Sequence, residues 1–276
     1  MARVSASGPL DAGRALRARI HAGEATVGTF LGLGSVTAAE VCAAAGLDWV
    51  LVDLEHGGGD EEQVGAITAA TGAYGVAALV RVEQSERIRI GRVLDAGAAG
   101  VMIPRITSAT EAAEARTHQL YPPMGDRGVA SYNRAARWTL DTGALDRADA
   151  QVIGIVQIET RAAVDDIEAI AATDGADVLF VGPQDLSSAL GVPRQFDAPV
   201  YQEVLDRVVS ACTAHGTCAG ILVNDRAAAE AALARGFRFI AIGSDATLLA
   251  QSVRAATPHR PPFPTTPRES EIPPCT

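Results

Sequence analysis

Eight short apolar runs recur along the chain, each followed by a stretch with helical spacing. The runs are VGTFLG (27–32), WVLVDL (49–54), VAALVRV (76–82), AGVMIP (99–104), VIGIVQIE (152–159), DVLFVG (177–182), CAGILV (218–223) and FRFIAIG (237–243). Between them lie Ala-rich segments such as TAAEVCAAAG, SERIRIGRVLDAG, RAAVDDIEAIAAT and NDRAAAEAALARG. Strands that are apolar nearly throughout are buried on both faces, and a parallel sheet covered by helices provides that burial. Eight such units predict an α/β fold, a closed (β/α)8 TIM barrel in a single domain. An open doubly wound sheet is the structural alternative, but no GxGxxG follows the first strand. The barrel is expected over residues 1–256, with a short N-terminal extension. Residues 257–276 hold seven of the fourteen prolines and read as an extended, flexible tail. With only 4% aromatic residues, the core is expected to be mostly Ala, Val, Leu and Ile.

A net charge of -10 with no basic cluster argues against binding nucleic acid or an anionic membrane. No run approaches the roughly 18 apolar residues of a membrane span. The N-terminal segment has arginines but no apolar core, so it does not read as a secretory signal. Cys42, Cys212, Cys218 and Cys275 lack CxxC or zinc spacing and read as reduced thiols of a cytoplasmic protein. A Cys212–Cys218 bridge is conceivable from spacing but not expected.

In a barrel, reactive groups belong at the C-terminal ends of the strands. The second run ends in Asp53, Glu55 and His56 before three glycines, the third carries Arg81, and the fifth ends in Gln157 and Glu159. The sixth leads into Asp185, and the eighth into Ser244 and Asp245. Gln157 and Glu159 are two apart, so they share a face with Ile155, while Val156 and Ile158 take the other. Glu159 alone could be a solvated strand-end carboxylate, and Asp185 alone could cap the helix that follows. Together with the Gln157 amide they make an oxygen-rich site suited to Mg²⁺ or Mn²⁺ and not to zinc. Arg81 could bridge carboxylates across the mouth, or hold a carboxylate and an adjacent oxyanion with its fork of donors. His56 beside Asp53 could be a base oriented by a carboxylate. The other histidines, His21, His118, His215 and His259, read as surface residues.

The segments DWVLVDLEHGGGD, VRV, LDAGAAGVMIPRI, YPPMGDRGV, VQIET, FVGPQDLSSALG and AIGSD together resemble the class II pyruvate aldolases of the HpcH/HpaI family. The resemblance spans roughly residues 25 to 255. It implies a barrel, a Mg²⁺, Mn²⁺ or Co²⁺ ion without an organic cofactor, and reversible cleavage of a 4-hydroxy-2-oxo acid to pyruvate and an aldehyde. It implies Glu159 and Asp185 as metal ligands with Gln157 beside the metal. Arg81 would bind the pyruvate oxygens, and His56, paired with Asp53, would move the proton. Gly182, Pro183 and the turn they begin would hold the pyruvate carboxylate. Asp95 would be structural, at a subunit contact. It implies a homohexamer, a trimer of dimers, with the last helix (244–256) packing on a neighbour through Leu248, Leu249 and Val253. The chain has no lysine, which excludes a Schiff-base aldolase.

Two departures bear on substrate identity: HGGGD follows the strand, and ASYNRAARW lies in the long 120–150 segment, which is expected to shape the aldehyde side of the pocket. Oxaloacetate decarboxylation, or another carbon–carbon bond formation of specialised metabolism through the same enolate, is one alternative. An acyl-CoA lyase of the citrate lyase β type is another, although such enzymes tend to carry an acid where His56 stands. A barrel without catalysis, serving as a binding protein, is the alternative from a different class.

Overall fold

A computed structural model describes residues 9–258; the tail expectation beyond that point lies outside the described residues. The helix α1 (Pro9–His21) precedes β1 (Thr26–Leu31), α2 (Val36–Ala44), β2 (Trp49–Asp53), α3 (Glu61–Gly72), β3 (Ala77–Arg81), α4 (Arg87–Asp95) and β4 (Gly100–Ile103). Then come α5 (Ala109–Thr117), α6 (Ala144–Ala148), β5 (Ile153–Ile158), α7 (Arg161–Asp165), α8 (Ile167–Ala171) and β6 (Val178–Val181). The chain continues through α9 (Pro183–Ala189), α10 (Pro199–His215), β7 (Cys218–Val223), α11 (Arg226–Arg235), β8 (Phe239–Ser244) and α12 (Asp245–Ala256). The strands pair in sequence order, all parallel, and β8 closes on β1. This is a single-domain (β/α)8 barrel.

Alternation along each strand sorts its side chains into two cores. Val50, Val52, Ala78, Val80, Val156, Ile158, Leu179 and Val181 face outward and pack under the helices. Trp49, Leu51, Ala77, Leu79, Ile153, Ile155, Val178 and Phe180 face inward. The outer core is almost wholly aliphatic, as composition predicts. The inner core is not: Trp49 stacks on Phe239 with centroids 4.1 Å apart, Phe239 meets the edge of Phe180, and Phe180 lies 5.9 Å from Phe30. Four of the twelve aromatic residues, Phe30, Trp49, Phe180 and Phe239, thus fill the barrel interior. Gly28 makes room for this stack, because a Cβ there would come within 2.2 Å of the Trp49 ring.

The N-terminal extension is structural. Ala12, Leu16 and Ile20, spaced four apart on α1, join the inner core and close the bottom of the barrel. Arg17 and His21 of α1 then bind Asp177, at 2.9 and 2.7 Å. His21 is therefore more than a surface residue. Arg19 of the same helix pairs with Asp48, whose other oxygen accepts the Val27 N–H at 2.7 Å. Among the described residues no helix is long and apolar enough to cross a membrane. Cys42, Cys212 and Cys218 are free, and burial pushes the thiols of Cys212 and Cys218 up to about 12.

Candidate active site

The inward positions continue upward past the apolar layers, and there they turn polar. On β2 the series Trp49, Leu51 ends in Asp53; on β3 the series Ala77, Leu79 ends in Arg81; on β5 Ile153 and Ile155 lead to Gln157 and then Glu159. Asp53 and Arg81 are register partners, so adjacent strands deliver them side by side. All four polar side chains are buried.

Arg81 is held from three directions. Its Nε and Nη2 donate to the two carboxylate oxygens of Asp53 at 3.0 and 2.6 Å. Its Nη1 lies 2.9 Å from Glu55 Oε2, and its guanidinium sits over the Phe30 ring at 5.1 Å. Phe30 and Phe180 thus form an apolar floor beneath the charges.

Glu159 stands across from this group. Its Oε1 accepts the backbone N–H of Arg105 at 2.7 Å, and its Oε2 accepts the Gln157 amide. Burial raises its pKa above the ordinary glutamate value. The Arg105 hydrogen bond opposes the rise, the nearby carboxylates of Asp185 and Glu55 add to it, and Arg81 opposes it. Gln157 Oε1 is buried with no hydrogen-bond partner. Gly182 fits against this pair because a Cβ would meet Glu159 Oε2 at 2.6 Å and Gln157 Nε2 at 2.7 Å. After it, Pro183 begins α9.

A model of the HpcH/HpaI aldolase/citrate lyase family matches residues 26–252. The chain belongs to this family. It is 40% identical to a hydroxypyruvate/pyruvate aldolase of Paraburkholderia phytofirmans, over 87% of this chain and 95% of that protein. It is 35% identical to a 4-hydroxy-2-oxo-heptane-1,7-dioate aldolase of Escherichia coli, over 87% of this chain and 92% of that protein. A crystal structure of a family protein from Burkholderia cenocepacia superposes with a TM-score of 0.85 at 38% identity, covering 88% of this chain and 97% of that one.

Within this family member, several residues sit differently from their sequence reading. The His56 imidazole does not pair with Asp53, which is taken up by Arg81 and by the backbone N–H groups of Glu55 and His56. The His56 side chain is 68% exposed, and its Nε2 lies 3.9 Å from Glu55 Oε1. Asp185 is not a helix cap: Gly182 holds that position, and Asp185 sits in the first turn without a hydrogen bond. The Gly182 N–H is spent on Ile158 O at 3.3 Å and Pro183 has none, so Gln184 and Asp185 carry the free N–H groups of that turn. Asp245 is buried and ties Gly32 N and Leu33 N to the end of β8.

Glu55, which has no assigned role in the sequence, is the second carboxylate on Arg81. Its place directly after β2, beside His56, is the signal for it in the sequence. The long segment also lies elsewhere than expected. Residues 118–152 join the end of α5 to the start of β5, which puts them at the N-terminal end of the barrel. Ala135 N reaches Asp95 O, Arg137 pairs with Asp11 of α1 at 3.6 Å, and Arg127 pairs with Asp95 at 2.7 Å. The segment cannot shape the pocket of its own barrel.

Proposed function

We propose that the protein is a metal-dependent aldolase that reversibly cleaves a 4-hydroxy-2-oxo acid to pyruvate and an aldehyde. The carrying observation is the buried Glu159, raised in pKa and close to Asp185 and Glu55, beside a glutamine oxygen that has no partner. The family and the aldolase names of its relatives support the reading.

These residues fit a divalent cation. The donors are hard oxygens, and the local carboxylates outnumber the one buried guanidinium. Glu159 and Asp185 would be the ligands, leaving positions for water and substrate, with Gln157 alongside. When bound, Mg²⁺, Mn²⁺ or Co²⁺ supplies the positive charge that makes a 2-oxo acid easier to enolise.

The chain's own residues do the rest. The first turn of α9 offers the N–H groups of Gln184 and Asp185 to the pyruvate carboxylate, and Gly182 and Pro183 shape the approach. Arg81, fixed by Asp53 and Glu55, turns its remaining N–H groups toward the enolate oxygen. His56 takes a methyl proton from pyruvate in the synthetic direction. The enolate carbon then bonds to the aldehyde carbon, and the new alkoxide takes the proton that His56 carries. Cleavage runs this sequence backward.

The protein is expected to work in the cytoplasm as a homo-oligomer, a hexamer of three dimers. Leu249 and Val253 of α12 are more than half exposed and would pack on a neighbouring copy, which light scattering tests.

The direct test follows exchange of pyruvate methyl protons for deuterium with Mn²⁺, and aldol turnover with a panel of aldehydes. Both should stop on chelation and return with Mn²⁺. Full turnover in excess chelator would overturn the proposal.

A further inference from the structure

We infer that the cavity between α10, α11 and β7 is a second binding site, for a small aromatic carboxylate, coupled to the turn that holds pyruvate. The coupling rests on the aldolase reading above. The cavity has a volume of about 330 Å³, within the range of small-molecule sites. Leu205, Ile221 and Phe237 line it and are buried. Ala228, Ala231 and Ala232 of α11 also line it, where larger apolar residues would fill the space. An unfilled apolar cavity costs stability, so the alanines need a use. The rings of Phe196 and Tyr201, with centroids 5.6 Å apart, add an aromatic wall. Alanines and aromatic rings around one space suit a flat ring.

Two polar groups in this apolar space point to the ligand's charge. Tyr201 is only 3% exposed, and among the described residues its hydroxyl makes no hydrogen bond. Burial pushes its pKa up to about 12, with the nearby Arg235 acting against the rise, so the hydroxyl keeps a proton to donate. Arg235 also lines the cavity. Its Nη2 donates to Gln202 Oε1, and its Nε lies 3.4 Å from Asp206 Oδ1, which leaves Nη1 uncommitted among the described residues. A phenol donor beside a guanidinium donor suits a carboxylate. Asp197 is the one acid in the lining, and it is exposed to solvent, which screens it. Pro183 and Gln184 complete the wall, and the same two residues begin the turn of α9 proposed to hold the pyruvate carboxylate. A ligand packed behind that turn braces it for pyruvate, and by linkage pyruvate favours the ligand.

The test titrates benzoate into the metal-free full chain by calorimetry, with benzamide as the uncharged match in shape. Benzoate should saturate one site per chain, and benzamide should bind about 10-fold more weakly, the worth of a charge-assisted hydrogen bond. Tyr201→Phe keeps the ring and loses only the unpaired hydroxyl, so it should weaken benzoate about 10-fold with the fold intact. Ala231→Leu should fill the space and abolish binding. With Mn²⁺ present, saturating benzoate should lower the KM for pyruvate in proton exchange about 5-fold and leave kcat alone. No saturation below about 10 mM overturns the inference, as does equal binding of benzamide or an unchanged affinity in both variants. Competition between benzoate and pyruvate would place benzoate in the reaction site and overturn it too. An unchanged KM at saturating benzoate overturns the coupling. Absence of pyruvate proton exchange in the wild type would overturn the aldolase reading instead, while the binding measurement, which needs no turnover, still decides the site.

Discussion

Asp177 and Glu159 are buried carboxylates at opposite ends of one barrel. Asp177, just before β6, accepts from Arg17, from His21 and from the Gly154 N–H at 2.8 Å. Glu159, just after β5, accepts only from a backbone N–H and an amide, and its charged neighbours include two further carboxylates. The bottom charge is matched by the Arg17 guanidinium within the chain. The top charge is matched by dipoles and lacks a cation of its own. A buried charge that the fold neutralises is scaffold; one left in excess marks where a cation from outside belongs. Arg81 sharpens the contrast, because the one buried cation at the top is already divided between Asp53 and Glu55.

The largest effect should separate the two ends by chemistry. His56→Ala at the top is expected to slow pyruvate proton exchange by roughly 10²–10⁴, the usual worth of a positioned acid–base group. His21→Ala at the bottom should leave that rate alone. Exchange at the wild-type rate in His56→Ala would remove His56 from the chemistry.

Next in size is stability at the bottom. Asp177→Asn leaves Arg17 and His21 facing a neutral group and should cost about 1.5 kcal/mol in a denaturant titration, with the response to Mn²⁺ unchanged. A loss within experimental error would mean that the α1 clasp does not hold the barrel closed.

Glu159→Gln should behave in the opposite sense. In metal-free protein burial raises the folded-state pKa of Glu159 above the ordinary glutamate value. The stability it contributes is full at low pH and is lost as pH rises through the folded value. Glutamine removes that loss, and a turned Gln157 amide could pair its orphaned oxygen with the new NH₂ group. Metal-free Glu159→Gln should therefore be more stable than wild type at pH 8, the difference shrinking toward zero in acid. A destabilised variant across that range would show that Glu159 is satisfied without metal.

The smallest stability effect belongs to Asp185, which is exposed and makes no hydrogen bond. Metal-free Asp185→Asn should stay within about 0.5 kcal/mol of wild type. A larger change would reveal a structural task for this carboxylate.

Much of this contrast is legible in the chain itself. The eight runs place the eight strands to within a residue or two, because each is apolar on both faces. Two-residue spacing puts Gln157 and Glu159 on the face of Ile155, and the strand delivers them there. What is not legible depends on pairing between distant segments. The match of Asp53 with Arg81 is a matter of strand register, and it takes Asp53 away from His56. The α1 plug looks like an ordinary amphipathic helix until a barrel end needs closing. The long 118–152 segment looks like a loop after a strand, but the short α5 comes first and carries it to the other end.

The central claim is that the excess carboxylates at the top hold one divalent cation. Calorimetric titration of Mn²⁺ into metal-free wild type, Glu159→Gln, Asp185→Asn and Asp177→Asn tests it most directly. One site per chain is expected in wild type, with affinity lost about 100-fold or more in the first two variants and kept in Asp177→Asn, since each of the first two removes a charged oxygen ligand. Wild-type affinity in Glu159→Gln, or an equal loss in Asp177→Asn, would contradict the account.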